Sequence, residues 1–308
     1  MTSQKIRIAF IGLGDIAQKA YLPIVTNHAK VQPILCTRNT KTLNRLAIKY
    51  RIDETYSDVD ELIRNKVDAA MIHSSTVSHF ILVSKFLNAG IPIFLDKPLC
   101  YNLSESEELL NLAAQKQVLL YLGFNRRFAP LIQTLTHHPN PIQINWQKNR
   151  VGLPDAPRVF VLDDFIHVLD TLRFLGTSIA ENIQVFSKLQ NNKLESLQVQ
   201  WQQNGALFNG SMNRISGITE ERVEYYTADN KWQIEELVSG FHYKNEIIKP
   251  LGFNNWENTL YKRGFLNLFE DWLSALQATN FDTNRNQDIW ETHHLCEMVV
   301  QKVLKKNH

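Results

Sequence analysis

Residues 5–17 read Lys-Ile-Arg-Ile-Ala-Phe-Ile-Gly-Leu-Gly-Asp-Ile-Ala. The segment begins with alternating residues and then becomes wholly apolar, which is typical of a strand that enters a buried parallel sheet. A turn of the form G-x-G-x-x-A follows at once, and residues 18–25 continue as a helix. A strand, a glycine-rich turn and a helix in this order predict a nucleotide-binding α/β fold.

The glycine-rich turn has a specific physical logic. Gly12 permits the tight turn, Gly14 lets the backbone approach a pyrophosphate, and the small Ala17 lets the helix pack closely on the strand. A phosphate then lies at the helix N-terminus, beside Asp15 and Ile16, where free N–H groups favour an anion. We therefore predict that these five residues bind a dinucleotide; a purely structural turn is the alternative.

The next predicted strand, residues 31–36, ends at Thr37 and Arg38. Many dinucleotide-binding folds place an acid here to hold the ribose 2′-OH, and this chain has none. The Thr37 hydroxyl and the charges of Arg38 and Lys41 suit a 2′-phosphate instead. The pattern favours NADP(H) over NAD(H), unless Arg38 is only a solvated loop cation.

Alternating strands and helices continue to residue 122. Since parallel sheets bind ligands beyond the carboxyl ends of their strands, Lys97 lies at a candidate site, aimed by the turn at Pro98. A surface lysine is the alternative reading. The predicted fold class is α/β, with an N-terminal Rossmann doubly wound parallel sheet over residues 1–122. The further strands are predicted at residues 69–73, 91–95 and 118–122, with a helix over 76–89.

Composition limits the function. A chain of 308 residues predicts two domains, and a formal net charge of +2 without a basic run argues against nucleic acid as a partner. The three cysteines are far apart and lack metal-binding spacing, so they predict reduced thiols and no metal site. The apolar run at residues 8–13 is too short for a membrane span or a signal sequence. We predict a cytoplasmic protein that does not enter membranes.

A second candidate site lies on a predicted helix over residues 160–175. At about 100° per residue, Asp163, His167 and Asp170 share one stripe, and Asp164 is predicted to be its exposed neighbour. An imidazole held in this way exchanges protons near neutral pH, and Asp163 would set its tautomer. In the alternative reading the acids only cap the helix and His167 is an ordinary histidine.

Residues 123–308 are predicted to form an α+β domain with a largely antiparallel open sheet. One face of the sheet would carry the helix with His167. Helices are predicted over residues 256–278 and 287–305, and Tyr261 on the first of them borders the substrate pocket or lies on the helix surface. The strand-like runs are residues 183–189, 194–203, 206–214, 220–227 and 231–237.

Four motifs in this order resemble the Gfo/Idh/MocA oxidoreductases of sugars, cyclitols and related alcohols. They are Gly12-Leu13-Gly14-Asp15-Ile16-Ala17, Asp96-Lys97-Pro98 in place of Glu-Lys-Pro, Gly123-Phe124-Asn125-Arg126-Arg127-Phe128-Ala129-Pro130, and Asp163-x-x-x-His167-x-x-Asp170. Within that family the chain is similar to the MviM branch through His73-Ser74-Ser75-Thr76, Asp96-Lys97-Pro98-Leu99 and Leu162-Asp163-Asp164.

The resemblance implies that Lys97, Asp163 and His167 face the nicotinamide and transfer a proton while a hydride moves between the cofactor and an alcohol or ketone. Either Lys97 or His167 carries the proton, with His167 preferred. Arg126 is assigned to the cofactor or the substrate, whereas Arg127 binds a ligand or forms a structural salt bridge. Further cofactor contacts are assigned to Ser74, Ser75, His79, Asp96, Lys97 and Asn125, and substrate contacts to Arg126, Asp163, His167 and Tyr261.

The family also commonly covers its open sheet with a second subunit. The resemblance therefore implies a homodimer or homotetramer, with Val199, Trp201 and Tyr225 on the covered face.

Two departures from the family pattern concern the substrate more than the cofactor. Phe165 stands where the family often has glycine, and Ser74-Ser75-Thr76 replaces Thr-Pro-Asn near the nicotinamide ribose. The resemblance leaves two other functions open: redox-neutral glycoside cleavage with a retained NAD(H), as in some relatives of the family, and a catalytically silent protein that binds NADP.

Overall fold

The computed structural model describes residues 5–176, 180, 182–278 and 282–305. The chain forms two compact units, Met1–Gly123 with Phe269–Trp290, and Phe124–Leu268 with Glu291–His308. The first unit thus also takes in a segment from the C-terminal part of the chain. The division into folding domains after residue 122 stays a prediction.

The first unit is built on a six-stranded parallel sheet with strand order β3-β2-β1-β4-β5-β6. This is the doubly wound order that the alternation of apolar runs and helices predicted. The central strands are buried on both faces, which is why they read as continuous apolar runs. The strands are β1 Ile6–Ile11, β2 Val31–Cys36, β3 Thr55–Tyr56, β4 Ala69–Ile72, β5 Ile93–Leu95 and β6 Leu120–Leu122.

Short helices connect these strands. The glycine-rich turn leads into a π-helical turn, Ala17–Tyr21, and then into α1, Leu22–Val25. The N-terminus of α2 is capped by Asn39, whose side chain accepts a hydrogen bond from the Thr42 N–H. The other helices of this part are α2 Thr40–Tyr50, α3 Val59–Arg64, a 3₁₀ turn Thr76–Ser78, α4 His79–Asn88 and α5 Leu103–Lys116.

The second unit contains an eight-stranded sheet with strand order β14-β13-β12-β11-β7-β10-β9-β8. Strands β7 and β10 pair in parallel, and the other neighbours are antiparallel. The sheet is therefore mixed but largely antiparallel, as expected. Its strands are β7 Gln143–Asn149, β8 Gln184–Gln190, β9 Lys193–Gln203, β10 Ala206–Asn213, β11 Glu220–Thr227, β12 Asn230–Glu235, β13 Ser239–Lys244 and β14 Ile247–Leu251.

The helical segments include two that contribute residues to both units, α10 and α11. The single helix predicted over residues 256–278 is wrong at its start, because Gly264, at φ +81°, separates α9 from α10 and Trp256 is 99% exposed. The segments are a 3₁₀ turn Asn125–Phe128, α6 Pro130–Thr136, α7 Pro157–Phe160, a π-helical turn Val161–Phe165, α8 Ile166–Gly176, α9 Thr259–Lys262, α10 Phe265–Gln277 and α11 Thr283–Lys305.

The sheet of the second unit packs one face against α8. A Cβ on Gly210 of β10 would lie 2.9 Å from Val168 Cγ1 and 3.0 Å from Leu172 Cδ1, so only glycine allows this close approach. The assignment of Val199, Trp201 and Tyr225 to the opposite face is wrong: all three are buried within the unit.

The reason is the alternation of side chains along the strands. Val199 lies against the same Gly210, and Trp201 stacks on Phe208 at 5.0 Å, so both point toward α8. The opposite face exposes Phe186, Leu207 and Phe241. Coverage of that face by a second copy stays a prediction.

Candidate active site

The glycine-rich turn has room for a phosphate at one glycine and none at the other. A Cβ on Gly12, which has φ +83°, would lie 2.6 Å from the Ser74 backbone nitrogen. A Cβ on Gly14 would meet only the His73 carbonyl oxygen, at 4.0 Å. Gly12 therefore lets the turn pack directly against the loop after β4. The backbone at Gly14 stays open, as contact with a pyrophosphate requires. These residues fit a dinucleotide.

The other predicted residues of this turn differ in burial. Ala17 is buried against the sheet, Ile16 is half-buried, and Asp15 is exposed and paired with Lys19 at 2.9 Å. Ala17 thus performs the packing role that the motif predicts.

A cavity of about 320 Å³ lies beside the end of β2 and contains Gly12, Thr37 and Arg38 in its wall. No described residue forms a hydrogen bond or an ion pair with the Arg38 guanidinium. Two acids also line the cavity and have partners: Asp58 caps α3 through the Glu61 N–H at 2.8 Å, and Asp60 pairs with Lys85 at 2.6 Å.

The loops after β4 and β5 carry Ser74, Ser75 and the Asp96-Lys97-Pro98 turn. Asp96 accepts the Lys97 N–H at 3.0 Å, and the peptide bond between Lys97 and Pro98 is cis. Ser74 lines the nucleotide cavity. Lys97 therefore follows a parallel strand at the carboxyl edge of the sheet, as predicted.

His79 joins the two loops. Its Nδ1 lies 2.9 Å from the Pro98 carbonyl oxygen and its Nε2 lies 3.1 Å from the Ser74 carbonyl oxygen, and the side chain is buried. The ring thus holds the loop with Ser74 and the turn with Lys97 in fixed relation. The predicted contact of His79 with the cofactor stays a prediction.

In the second unit, the predicted helix over residues 160–175 exists but is interrupted. The π-helical turn Val161–Phe165 separates α7 from α8 and holds Asp163, which is half-buried. His167 follows in the first turn of α8 and is 7% exposed. A π-helical turn is a frequent feature of functional sites.

Arg126 contacts His167 directly. Its Nη1 lies 3.1 Å from His167 Nε2 and also donates to Asn125 Oδ1 at 2.9 Å. Its other nitrogens pair with the two carboxylate oxygens of Glu221, at 3.2 and 3.0 Å. Because a guanidinium only donates hydrogen bonds, His167 Nε2 must accept, which leaves the ring proton of the neutral imidazole on Nδ1.

Asp164 was predicted to be exposed, and this is wrong. The side chain is 7% exposed and is paired with Lys148, with Arg150 at 3.1 Å and with Arg214 at 3.4 Å. The prediction assumed about 100° per residue, whereas the π-helical turn changes the rotation per residue and points Asp164 inward.

Burial and neighbouring charges shift the pKa values of this cluster. Burial alone would raise the pKa of the Asp164 carboxyl, but Lys148 and Arg150 hold it well below its ordinary value. Burial likewise opposes ionisation of Glu221, yet Arg126 and Lys148 lower its pKa to about 2. Burial, and then the charge of Arg126, lowers the pKa of Lys148 to about 7.

Asp170 and Arg127 form an ion pair that anchors α8. Arg127 Nη2 lies 2.5 Å from Asp170 Oδ1, its Nε lies 2.9 Å from Oδ2, and Thr292 also donates to Oδ1 at 3.0 Å. The Arg127 guanidinium packs over the ring of Phe124, 4.8 Å from its centroid. Of the two roles left open for Arg127, the geometry favours the structural salt bridge.

Two other predicted residues have neighbours within the second unit. The Asn125 amide donates to the Arg263 carbonyl oxygen at 2.9 Å. Tyr261 lies on α9 and packs edge-on against Phe253, with ring centroids 6.1 Å apart. Their contacts with cofactor and substrate stay predictions.

The sequence reasoning missed Lys148, Arg214 and Glu221. The available signal was their parity: Lys148 follows Ile144 and Trp146 at every second position of β7, on the face that packs inward. A charged residue at an inward position marks a buried polar site.

In the ranges of the chain that the structure describes, no helix is long and apolar enough to cross a membrane. Within the same ranges, no group of three or more His, Cys, Asp or Glu side chains is arranged to hold a metal ion.

Comparison with known proteins identifies the family of this chain. Residues 6–124 match a model described as an oxidoreductase family with an NAD-binding Rossmann fold, and residues 131–244 match a YceM-like C-terminal domain. The chain is 33% identical to the Salmonella typhimurium protein YceM, over 97% of this chain and 96% of that protein. The chain belongs to the Gfo/Idh/MocA family.

Two further proteins are similar to this chain. A Thermotoga maritima myo-inositol 2-dehydrogenase is 30% identical over 56% of this chain and 49% of that protein. A solved Gfo/Idh/MocA oxidoreductase from Vibrio cholerae superposes with a TM-score of 0.93 at 35% identity, covering 98% of this chain and 99% of that one.

A dehydrogenase named MviM from Clostridium difficile superposes with a TM-score of 0.88 at 27% identity. The superposition covers 97% of this chain and 100% of that one. The resemblance to the MviM branch is thereby confirmed. This Gfo/Idh/MocA protein is an oxidoreductase whose Rossmann fold binds a nicotinamide cofactor.

Proposed function

We propose that this protein is an NADP(H)-dependent oxidoreductase that interconverts a polyhydroxylated or cyclic alcohol and its ketone. The observation that carries the proposal is the open backbone at Gly14, two residues after Gly12, which lies in the wall of a cavity together with Thr37 and Arg38. The substrate class is supported by the similarity to a relative named myo-inositol 2-dehydrogenase.

The cofactor preference rests on charge. Arg38 has no partner among the described residues, and the Thr37 hydroxyl contacts only the Asn39 N–H, at 3.4 Å. A 2′-phosphate would receive hydrogen bonds from both side chains and lie near the N-terminus of α2, which favours an anion. The acids of this cavity are already engaged, so they do not take the place of a ribose-binding carboxylate.

We expect NADP to raise the melting temperature more than NAD at equal concentration, because only NADP uses Arg38. Arg38→Ala should weaken NADP binding about tenfold or more and leave NAD binding unchanged. Lys49→Ala is a matched control, since it removes an exposed cation from the other end of α2. Equal stabilisation by NAD, or an unchanged NADP affinity in Arg38→Ala, would contradict the preference.

The bound nicotinamide supplies or accepts the hydride. We propose that Lys97, Asp163 and His167 handle the accompanying proton and the charge on the substrate oxygen. The sequence favoured His167 as the proton carrier. The contact with Arg126 favours Lys97 instead, because His167 Nε2 accepts from a guanidinium and the neutral ring acts best as a hydrogen-bond donor through Nδ1.

In this account Arg126 is a positioning residue rather than a substrate ligand. It is buried, its charge is balanced by Glu221, and it fixes one tautomer of His167. It would therefore act on the reaction through the imidazole.

Nitrogen-15 NMR of the histidine rings tests this role without a substrate. We expect the His167 signals, assigned by their loss in His167→Gln, to show the tautomer with hydrogen on Nδ1. Arg126→Met should raise the share of the other tautomer, because Nε2 then no longer accepts from the guanidinium. Arg127→Met is the matched control, since it removes a neighbouring arginine that binds Asp170. The same tautomer in Arg126→Met would show that Arg126 does not set it.

A further inference from the structure

One end of the inner sheet face in the second unit is charged, whereas the rest is apolar. Along β7 the inward positions pass from Ile144 and Trp146 to Lys148, and Arg150 follows two residues later. On neighbouring β10 the same alternation passes from Met212 to Arg214. The charged side chains thus gather beneath the π-helical turn that carries Asp163 and Asp164.

Strand register brings these groups together. Lys148 of β7 lies directly opposite Glu221 of β11, and Asn149 accepts the Asn213 N–H of β10 at 3.0 Å. Lys148 and Glu221 are almost fully buried. The cluster is therefore fixed by the sheet and does not depend on flexible surface side chains.

Three cations share one carboxylate in this cluster. Lys148, Arg150 and Arg214 all pair with Asp164. Glu221 is already engaged by Arg126 in a bidentate ion pair. The buried carboxylate of Glu195, whose carbonyl oxygen accepts the Arg214 backbone N–H at 2.8 Å, pairs with the exposed Lys188 at 2.8 Å.

Arg214 has buried donors without acceptors. Its side chain is nine-tenths buried, yet its Nε and Nη1 have no hydrogen-bond partner among the described residues. The guanidinium lies over the ring of Phe160, 4.9 Å from its centroid, which offers no acceptor oxygen. Buried guanidinium N–H groups normally have acceptors, since leaving them without one is costly.

The pKa of Lys148 reflects the positive charges around it. Burial and the charge of Arg126 lower the pKa of Lys148 to about 7, despite the neighbouring Asp164 and Glu221. An added anion would favour the charged form of this lysine.

We propose that Arg150 and Arg214 form a subsite for an anionic group of the substrate, a carboxylate or a phosphate, so that the substrate is an acidic or phosphorylated polyol. Arg214 has two buried N–H donors without an acceptor among the described residues, and the partly exposed Arg150 shares the Asp164 carboxylate with it. The planar guanidinium matches the geometry of both anions. This inference rests on the proposed function, because it assigns a substrate class to the same enzyme.

The test measures thermal stabilisation of the protein saturated with NADP, so that the phosphate sites of the nucleotide are filled. The probes are inorganic phosphate and sodium acetate, each compared with sodium chloride at equal ionic strength. We expect at least one probe to raise the melting temperature by about 2 °C or more at tens of millimolar. Stabilisation by phosphate alone indicates a phosphorylated substrate, and stabilisation by acetate alone indicates a sugar acid.

Variants separate this subsite from other anion binding. Arg150→Gln and Arg214→Gln should each weaken binding of the stabilising probe roughly tenfold, whereas the affinity for NADP should not change. Arg150→Gln keeps the test valid if Arg214→Gln fails to fold, because Arg150 is partly exposed. Arg222→Gln is the control: it removes a cation from the outer face of the same sheet.

Stabilisation no greater than with chloride, or equal stabilisation in both variants, would overturn the subsite. Failure of NADP to stabilise the protein would instead count against the proposed cofactor. In that case the phosphate and acetate titrations still report on Arg150 and Arg214, because the two variants isolate their contribution.

Discussion

Lys97→Met is expected to slow hydride transfer by a factor of about 10² to 10⁴ while NADP binds as tightly as before. In our account Lys97 carries the proton to or from the substrate oxygen, and methionine has no proton to exchange. The lysine lies in a turn whose backbone is held by Asp96 and, through the carbonyl of Pro98, by His79. Neither of these two contacts involves the Lys97 side chain.

His167 provides the comparison that separates the two candidate proton carriers. His167→Ala should lose about as much activity as Lys97→Met, whereas His167→Asn should retain at least about tenfold more, because its amide Nδ2–H replaces the Nδ1–H donor. Rates are measured by NADPH absorbance and nucleotide binding by calorimetry. Equal loss in His167→Asn and His167→Ala would assign proton transfer to His167. Loss of NADP binding in Lys97→Met, with the fold intact, would contradict a role confined to the reaction.

Two glycines of the nucleotide turn should respond to alanine in opposite ways. Gly12→Ala places a Cβ 2.6 Å from the Ser74 nitrogen at φ +83°, so we expect the free energy of unfolding to fall by about 2 to 4 kcal/mol. Gly14→Ala meets only one atom, at 4.0 Å, so the fold should keep its stability. The added methyl group nevertheless occupies the space of the pyrophosphate, and stabilisation by NADP should be lost.

Urea unfolding and nucleotide-induced thermal shifts distinguish these outcomes. Gly90→Ala is the control for backbone strain, because Gly90 has φ +72° and a Cβ there would meet nothing within 4 Å. It should cost about 1 kcal/mol and leave NADP binding unchanged. Normal NADP binding by Gly14→Ala would refute the assignment of this turn to the pyrophosphate.

The fold of the first unit could be predicted because short stretches of sequence mark its central strands and its glycine-rich turn. Each central strand is a short, continuous apolar run, and Gly12 and Gly14 follow β1 at the spacing that a pyrophosphate requires. Strand β3 was missed because it has only two residues, Thr55–Tyr56. So short an edge strand has no periodicity to detect.

The second unit was harder because its strands are polar. Strand β7, Gln143–Asn149, lies at the centre of the sheet but was not predicted, since only Ile144 and Trp146 mark its inner face. Strands β13 and β14 were also missed. The assignment of Val199 and Trp201 to a subunit interface failed because a two-residue period separates the two faces of a strand but does not say which of them α8 covers.

The environment of the predicted helix depends on contacts between distant residues. Arg126 reaches His167, 41 residues along the chain, and Asp164 meets Arg214, 50 residues along. The π-helical turn that directs Asp164 inward has no signature in the local sequence. The sequence therefore identified His167 and Asp163 as candidates but not the charged cluster beside them.

The most direct test of the central claim is transfer of deuterium from NADPH that carries deuterium at both hydrogen positions of nicotinamide C4 to a panel of ketoses, cyclic ketones, keto acids and phosphorylated ketoses. Mass spectrometry follows the label, and absorbance follows the cofactor. We predict one deuterium on the carbinol carbon of the product for each NADPH oxidised. Conversion of a substrate without net oxidation of NADPH would contradict the account and indicate a redox-neutral reaction on a retained cofactor.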